Sequence, residues 1–285
     1  MRGGRDGFVL VSALAVLAAL AAVVVGASVL VRSSVAEARL ARDRLTEDAL
    51  VHAGLEFAAY QLVALRRPPS ELAGQRLRLD AGVVTLSAAA EAGKVDLNGA
   101  DPKLLAGLWR SLGLTSMTAE TFADRVVDWR DPDGKRGRAG AERRDYGAAG
   151  LPGPADDAFA TVDDVREVLG VGVAEARALK PFLTVANPRG RVSALEAPPE
   201  VLRATPGLGR PVLDQILSLR RRGAASMEAV QQLLGGGSTA PLGAFYGPAF
   251  RVEITIEEPR RRPARAFEIL RGEGPRLFWV LREAR

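Results

Sequence analysis

From Phe8 to Val31 the chain carries no charged residue. A helix needs about 20 apolar residues to cross a bilayer, so this run is long enough. It is also longer than the roughly 7–15-residue apolar core of a cleaved secretory signal. Beyond Val31 the pattern changes period rather than stopping. Arg32 to Leu65 contains no Pro and a single Gly, Gly54. Within it Val51, Leu55, Ala58, Leu62 and Leu65 recur at spacings of four and three, an apolar stripe along one helical face. Pro68-Pro69 predicts the helix end. Read as one rod, Phe8 to Leu65 is roughly 85 Å long at about 1.5 Å per residue. The first half belongs in lipid and the second against a soluble domain.

Period-two patterning appears at both ends of the chain beyond Pro69. Val83, Thr85 and their neighbours read as a strand, with turn signals at Gly82 and Gly93. Near the C-terminus Phe250, Val252, Ile254 and Ile256 alternate with Arg251, Glu253 and Thr255, a half-buried strand. RAFEIL and RLFWVLRE follow, joined by the turn-like RGEGP. The expectation is an antiparallel sheet of three or four strands carrying the long helix on one face.

Between the β regions lies a mostly helical block with three related passages. They are KVDLNGADPKLLAGLWRSLGL leading to TFADRVVDW, then ATVDDVREVLGVGVAEARALKPFLTV, then VSALEAPPEVLRATPGLGRPVLDQILSLRRR. Each has a helix-start signal, a short helix, a Gly-containing turn and a second helix; Asp101-Pro102 and Thr161 with Asp164 are the clearest starts. The passages resemble helix-hairpin-helix or SAM-like modules, in which a Gly-x-Gly turn and the following helix N-terminus can hold phosphate. Gly170-Val171-Gly172 and Gly207-Leu208-Gly209 have that shape. Helical hairpins also use Gly in their turns for purely conformational reasons. Arg220, Arg221 and Arg222 fall at a helix end, where they complement its dipole. No nucleic-acid partner is expected.

Composition narrows the chemistry. The chain has no Cys, which removes disulfides, thiolate catalysis and Cys-ligated metals. Its single His, His52, sits in the long helix and leaves no Ser-His-Asp or Cys-His constellation for the soluble part. Paired carboxylates can cleave glycosides, but three Trp and three Tyr are too few for a sugar cleft. The reading is a binding and assembly protein, not an enzyme. Net charge is +5, from 39 basic and 34 acidic residues, and hints at acidic partners. Arg2 and Arg5 before the apolar run place the N-terminus in the cytoplasm and the bulk of the chain across the membrane.

Carboxylates concentrate in DWRDPDGKRGRAGAERRDY, residues 128–146: Asp128, Asp131, Asp133, Glu142 and Asp145. Calcium takes six to eight oxygen ligands at roughly 2.3–2.6 Å. Asp131-x-Asp133-Gly134 resembles the start of a calcium loop, without the spacing of an EF-hand. Oxygen-only donors favour calcium over zinc. The alternative is a solvated turn in which the acids pair with Arg130, Arg138, Arg143 and Arg144.

The N-terminal architecture resembles type IV pilins and pseudopilins, which carry a short basic leader ending in Gly. The resemblance implies a leader MRGGRDG, residues 1–7, cut between Gly7 and Phe8 by a prepilin peptidase, with methylation of the new N-terminus. The fifth mature residue is Ser12, where most of the family carries Glu. That carboxylate is thought to meet the N-terminus of the subunit above, so its absence points to a tip subunit. Val95-Asp96-Leu97-Asn98, Asp128-Trp129 with Asp131 and Asp133, Gly140-Ala141-Glu142, Tyr146 and Leu183-Thr184-Val185 together resemble the K-type minor pseudopilins of type II secretion. One departure is RVSALEAPPEVL, where that family often shows an Asn-rich segment.

The resemblance implies an α+β, pilin-like fold with a large inserted helical domain. Its parts are the leader 1–7, a transmembrane helix 8–31 and its periplasmic continuation 32–66. The first part of the sheet is 67–97, the inserted domain 98–235 and the C-terminal strands 236–285. It further implies a single-pass inner-membrane protein at the pseudopilus tip that primes assembly and helps to export folded proteins. The partners would be the I- and J-type minor pseudopilins, the major pseudopilin and the inner-membrane assembly platform, with secreted cargo or the secretin as further contacts. Calcium is the expected cofactor. Two other readings stay open at this point: a membrane-tethered DNA receptor of the competence type, and a type IV pilus minor pilin.

Overall fold

A computed structural model of the chain describes residues 4–187, 189–235, 241–272 and 277–284. Residues 1–3 of the expected leader lie outside the described residues. Helix α1 spans Gly4–Ala59 without a break and closes in a π-turn, Tyr60–Ala64. Its apolar part has a mean hydropathy of 2.8 and no burial, so this helix is long and apolar enough to cross a membrane. The π-turn is capped at Leu65, and Arg66 takes a left-handed conformation (φ 52°) before Pro68. The stripe is real at Val51, Leu55, Ala58 and Leu62, all buried, but Leu65 is 46% exposed. The π-turn shifts the register of the last turn and turns that side chain outward. His52 is exposed, 3.7 Å from Glu56 one turn on.

Two compact units share the chain. The first comprises residues 1–57, 76–85 and 254–264. In it Leu50, Val51 and Leu55 of α1 are buried. Arg262 Nε donates to Glu47 at 2.7 Å, and Glu257 accepts from Thr85 Oγ1 at 2.6 Å and meets Arg76 at 2.8 Å. The second unit comprises residues 58–75, 86–253 and 265–285.

Strand β1 spans Gln75–Leu79 and β2 spans Gly82–Ala90. The chain then enters the helical segment through a two-residue strand, β3 (Val95–Asp96). Helix α2 (Pro102–Ser111) starts where the Asp101 carboxylate accepts from the Lys103 amide, with Pro102 in the first turn. Helix α3 (Ala119–Arg130) is capped in the same way by Thr118. The short α4 (Arg143–Ala148) follows. Thr161 and Asp164 cap each other around a 3-10 turn, Val162–Glu167. Helix α5 (Val173–Leu179) then leads into β4 (Leu183–Thr184). Next come β5 (Val192–Ser193), α6 (Pro199–Ala204), α7 (Arg210–Arg221), α8 (Met227–Leu233) and β6 (Leu242–Gly243).

Two stretches of the helical segment are therefore closed in the same way. β3 pairs in parallel with β4, Val95 opposite Leu183, and β5 pairs in parallel with β6, Val192 opposite Leu242. Parallel strands need a crossover between them, and in each case the helices supply it. Val95–Asp96 and Leu242–Gly243 thus join the helical segment rather than the large sheet. Leu104, Leu105, Leu108, Trp109 and Phe122 are fully or almost fully buried in its core, with Trp109 stacked on Phe122 at 4.6 Å. Helices α2 and α6 meet at Gly107, where any Cβ would run into the carbonyl of Ala204.

Three strands complete the chain: β7 (Ala249–Glu258), β8 (Arg265–Arg271) and β9 (Phe278–Ala284). The large sheet has the order β1-β2-β7-β8-β9. It has five strands where the sequence predicts three or four. The extra one, β1, alternates Arg76 and Arg78 with Leu77 and Leu79 and buries none of them, as an edge strand does. In β7 the predicted alternation holds: Phe250, Val252, Ile254 and Ile256 are buried. β8 and β9 are antiparallel, with Leu270 opposite Trp279. The turn residues 273–276 lie outside the described residues.

Candidate metal centre

The site is built on a hub of backbone ligands. Asp96 is fully buried, and its carboxylate accepts from the amides of Asn98 and Gly99 at 2.8 and 2.9 Å and of Asn187 at 2.7 Å. Burial raises its pKa, and those three amides with Arg130 oppose the rise. The Asn98 side chain donates to the Phe159 carbonyl and accepts from the Phe159 amide. Arg130, at the end of α3, donates to the carbonyls of Leu97 and Ala100. It is spent on those carbonyls rather than on the loop acids, which corrects the pairing weighed from sequence. The Val95–Asn98 segment thereby fixes the end of α3 and the strand at 183–184, where the Leu97 amide reaches Thr184.

The loop after α3 folds back on the helix that precedes it. Asp128 is buried, and both of its carboxylate oxygens accept from the Gly137 amide, at 3.1 and 3.0 Å. Asp124, one turn earlier, accepts from the Ala139 amide at 2.9 Å. Gly140 lies so close to the Asp128 carboxylate that no side chain fits there. Trp129 packs near Tyr146 and Phe159, at ring distances of 5.9 and 5.8 Å, and the Tyr146 hydroxyl accepts from the Leu169 amide. Burial pushes the Tyr146 phenol up to about 12, so it stays protonated.

Of the five acids singled out from sequence, this fold brings three together. Asp131, Asp133 and Glu142 each offer a carboxylate oxygen, and these oxygens lie within 4.8 Å of one another. Asp128 is turned to Gly137 and is not in the group. Asp145 accepts from the Glu142 amide at 3.0 Å and faces Arg136 at 3.4 Å, so it shapes the start of α4 instead.

A fourth acid was not foreseen. Asp156, left-handed at φ 53°, has one carboxylate oxygen on Arg143 at 2.9 Å and the other buried without a partner. Asp131 Oδ1 and Glu142 Oε1 are likewise buried and unpartnered. The Glu142 carboxyl is held above its ordinary range, by burial first and then by the charges of Asp128, Asp131, Asp156 and Asp133. Unpartnered buried oxygens are costly in a folded protein, and a hard divalent cation relieves both that cost and the mutual repulsion. The donor set is all oxygen, which suits calcium. Asp156 lies beyond Leu151-Pro152-Gly153-Pro154, and no spacing rule ties it to the loop; only the fold brings it near.

Residues 83–188 match the model of a known family, described as type II secretion system (T2SS), protein K. This segment of the chain is similar to the protein K family. The matched segment holds every motif of the hub, the three clustered acids and Asp156, and it ends just past Leu183–Val185. The resemblance drawn from the sequence is thus borne out. The fold is similar to that in the crystal structure of the GspK-GspI-GspJ complex from enterotoxigenic Escherichia coli, at TM-score 0.59 and 18% identity, over 87% of this chain and 99% of that one. The pilin-like α+β fold expected from the sequence is borne out with it. No curated protein matches the chain by sequence.

Proposed function

We propose that this protein is a K-type minor pseudopilin at the tip of a type II secretion pseudopilus, where it primes assembly and helps folded proteins cross the outer membrane. The observation that carries the reading is the protein K match over residues 83–188 on a fold that also has the long apolar N-terminal helix. The solved relative was crystallised as a complex with GspI and GspJ, which supports I- and J-type minor pseudopilins as partners here. One apolar, membrane-length run among the described residues, with Arg2 and Arg5 before it in sequence, supports an inner-membrane anchor, a cytoplasmic N-terminus and a periplasmic bulk.

Calcium is the proposed cofactor. Asp131, Asp133 and Glu142 would hold it, with Asp156 a fourth candidate donor, and its role would be structural: it would pin the loop to α4. With that structural role for the cation, the protein would act as an assembly component and not an enzyme. The test is co-expression with the I- and J-type proteins of the same cell and purification through a tag on this chain. A stable three-protein complex is expected. A chain that recovers neither partner would remove the reading.

A further inference from the structure

Two adjoining clefts in the second unit, of about 540 and 230 Å³, share Pro69, Glu196 and Tyr246 as their common wall. The larger carries Lys94 and Arg220, the smaller Arg66, Arg67 and Arg271, and Glu196 is the sole acid lining either. Part of this positive charge is already met: Lys94 pairs with Glu91 at 2.7 Å, and Arg67 bonds Gln61 at 3.0 Å with Glu71 at 4.0 Å. Arg66, Arg220 and Arg271 make no ion pair among the described residues. Arg220 donates only to the Ala197 carbonyl, and Arg271 Nε is buried without any partner.

We propose that these clefts form one docking site for an acidic, extended polypeptide segment of a partner protein. Charge complementarity names the occupant: Arg66, Arg220 and Arg271 form no ion pair among the described residues, and Glu196 is one acid set against five basic side chains, so a partner can bring the missing carboxylates. The walls argue for polypeptide over nucleic acid. Four prolines and residues 88–90, all alanine, line the larger cleft, where Tyr246 is the one aromatic; Phe245 and Phe250 of the smaller cleft are partly and almost fully buried, which leaves no row of exposed rings on which successive bases could stack.

Glu196 makes docking sensitive to pH. Both of its carboxylate oxygens are buried without a hydrogen bond. Burial pushes its carboxyl up to about 7, against the opposing pull of the Gly247 amide, of Arg220 from α7 and of Arg271 from β8. On the same wall the Tyr246 phenol is raised by burial, Glu196 and Glu228 of α8, so it stays neutral near pH 7. An anionic ligand is therefore favoured when Glu196 is protonated, and it is repelled as pH rises through about 7. The inference stands apart from the secretion role and would survive its failure.

The experiment uses the full chain in detergent and a fluorescein-labelled peptide of alternating Glu and Pro, read by anisotropy. The expected result is saturable binding of this peptide, none of its Lys-Pro counterpart, and a loss of about tenfold or more in Arg66→Gln and Arg220→Gln. Affinity should fall from about pH 6 to about pH 8, by at most about tenfold per unit for one proton, and Glu196→Gln should bind equally at both. Should Arg220→Gln fail to fold, the exposed Arg66→Gln carries the test alone. Equal binding of the Lys-Pro peptide, undiminished binding in the arginine variants, or displacement by an oligothymidylate would each overturn the proposal.

Discussion

A glycine decides whether the acidic loop can close. Gly140 sits against the Asp128 carboxylate, which is itself held by the Gly137 amide. Adding even a methyl group overpacks the site, so Gly140→Ala should destabilise the second unit by about 1–3 kcal/mol, readable in a denaturant titration. A substitution that leaves the midpoint unchanged would mean the loop is looser than its hydrogen bonds imply. The proposed calcium ligands make a separate prediction. Calcium should raise the melting temperature by binding only the folded form, and Asp131→Ala with Asp133→Ala should erase the rise. Binding needs ionised carboxylates, and the Glu142 carboxyl is raised by burial and its acidic neighbours. Protons therefore compete for it at a higher pH than for an ordinary glutamate, and calorimetric calcium affinity should weaken early on acidification. This scale was half legible in the sequence. Residue type and density marked the loop, but not which acids would converge. Asp128 and Asp145 have the same chemistry as Asp131 and Glu142, and only backbone amides offered by the folded loop divert them.

Among the elements, those with a strong period were the easiest to foresee. α1 and β7 declare themselves over many residues by 3.6- and 2-residue patterns, whereas β3 to β6 are two residues each and have no period to detect. β1 escaped because it is only five residues long and its two leucines, Leu77 and Leu79, are no more than half-buried. The end of α1 was foreseen from Pro68-Pro69, but the π-turn that rotates Leu65 outward has no sequence signature of its own. The same helix carries the processing prediction. If the chain is a pseudopilin, N-terminal mass spectrometry of the membrane-extracted protein should find Phe8 first and methylated. An intact Met1, or a cut near Ser28, would contradict it.

At the scale of the whole molecule, the order of strands in the large sheet bears on how the chain can fold. β2 ends at Ala90 and its neighbour β7 begins at Ala249, with the entire helical segment threaded between them. Pairing them closes a very long loop. Such non-local contacts form late, because chain entropy must be spent before they give anything back. The helical segment has its own caps, its own buried core and its own short parallel pairs, and needs none of that closure. On the ribosome β2 would emerge long before its partner strand exists and would wait with one edge open. Helices α2 and α3 should therefore gain amide protection first in pulsed hydrogen exchange, with β2 and β7 last and together, so the sheet nearest the N-terminal helix in sequence would be the final part of the chain to become native.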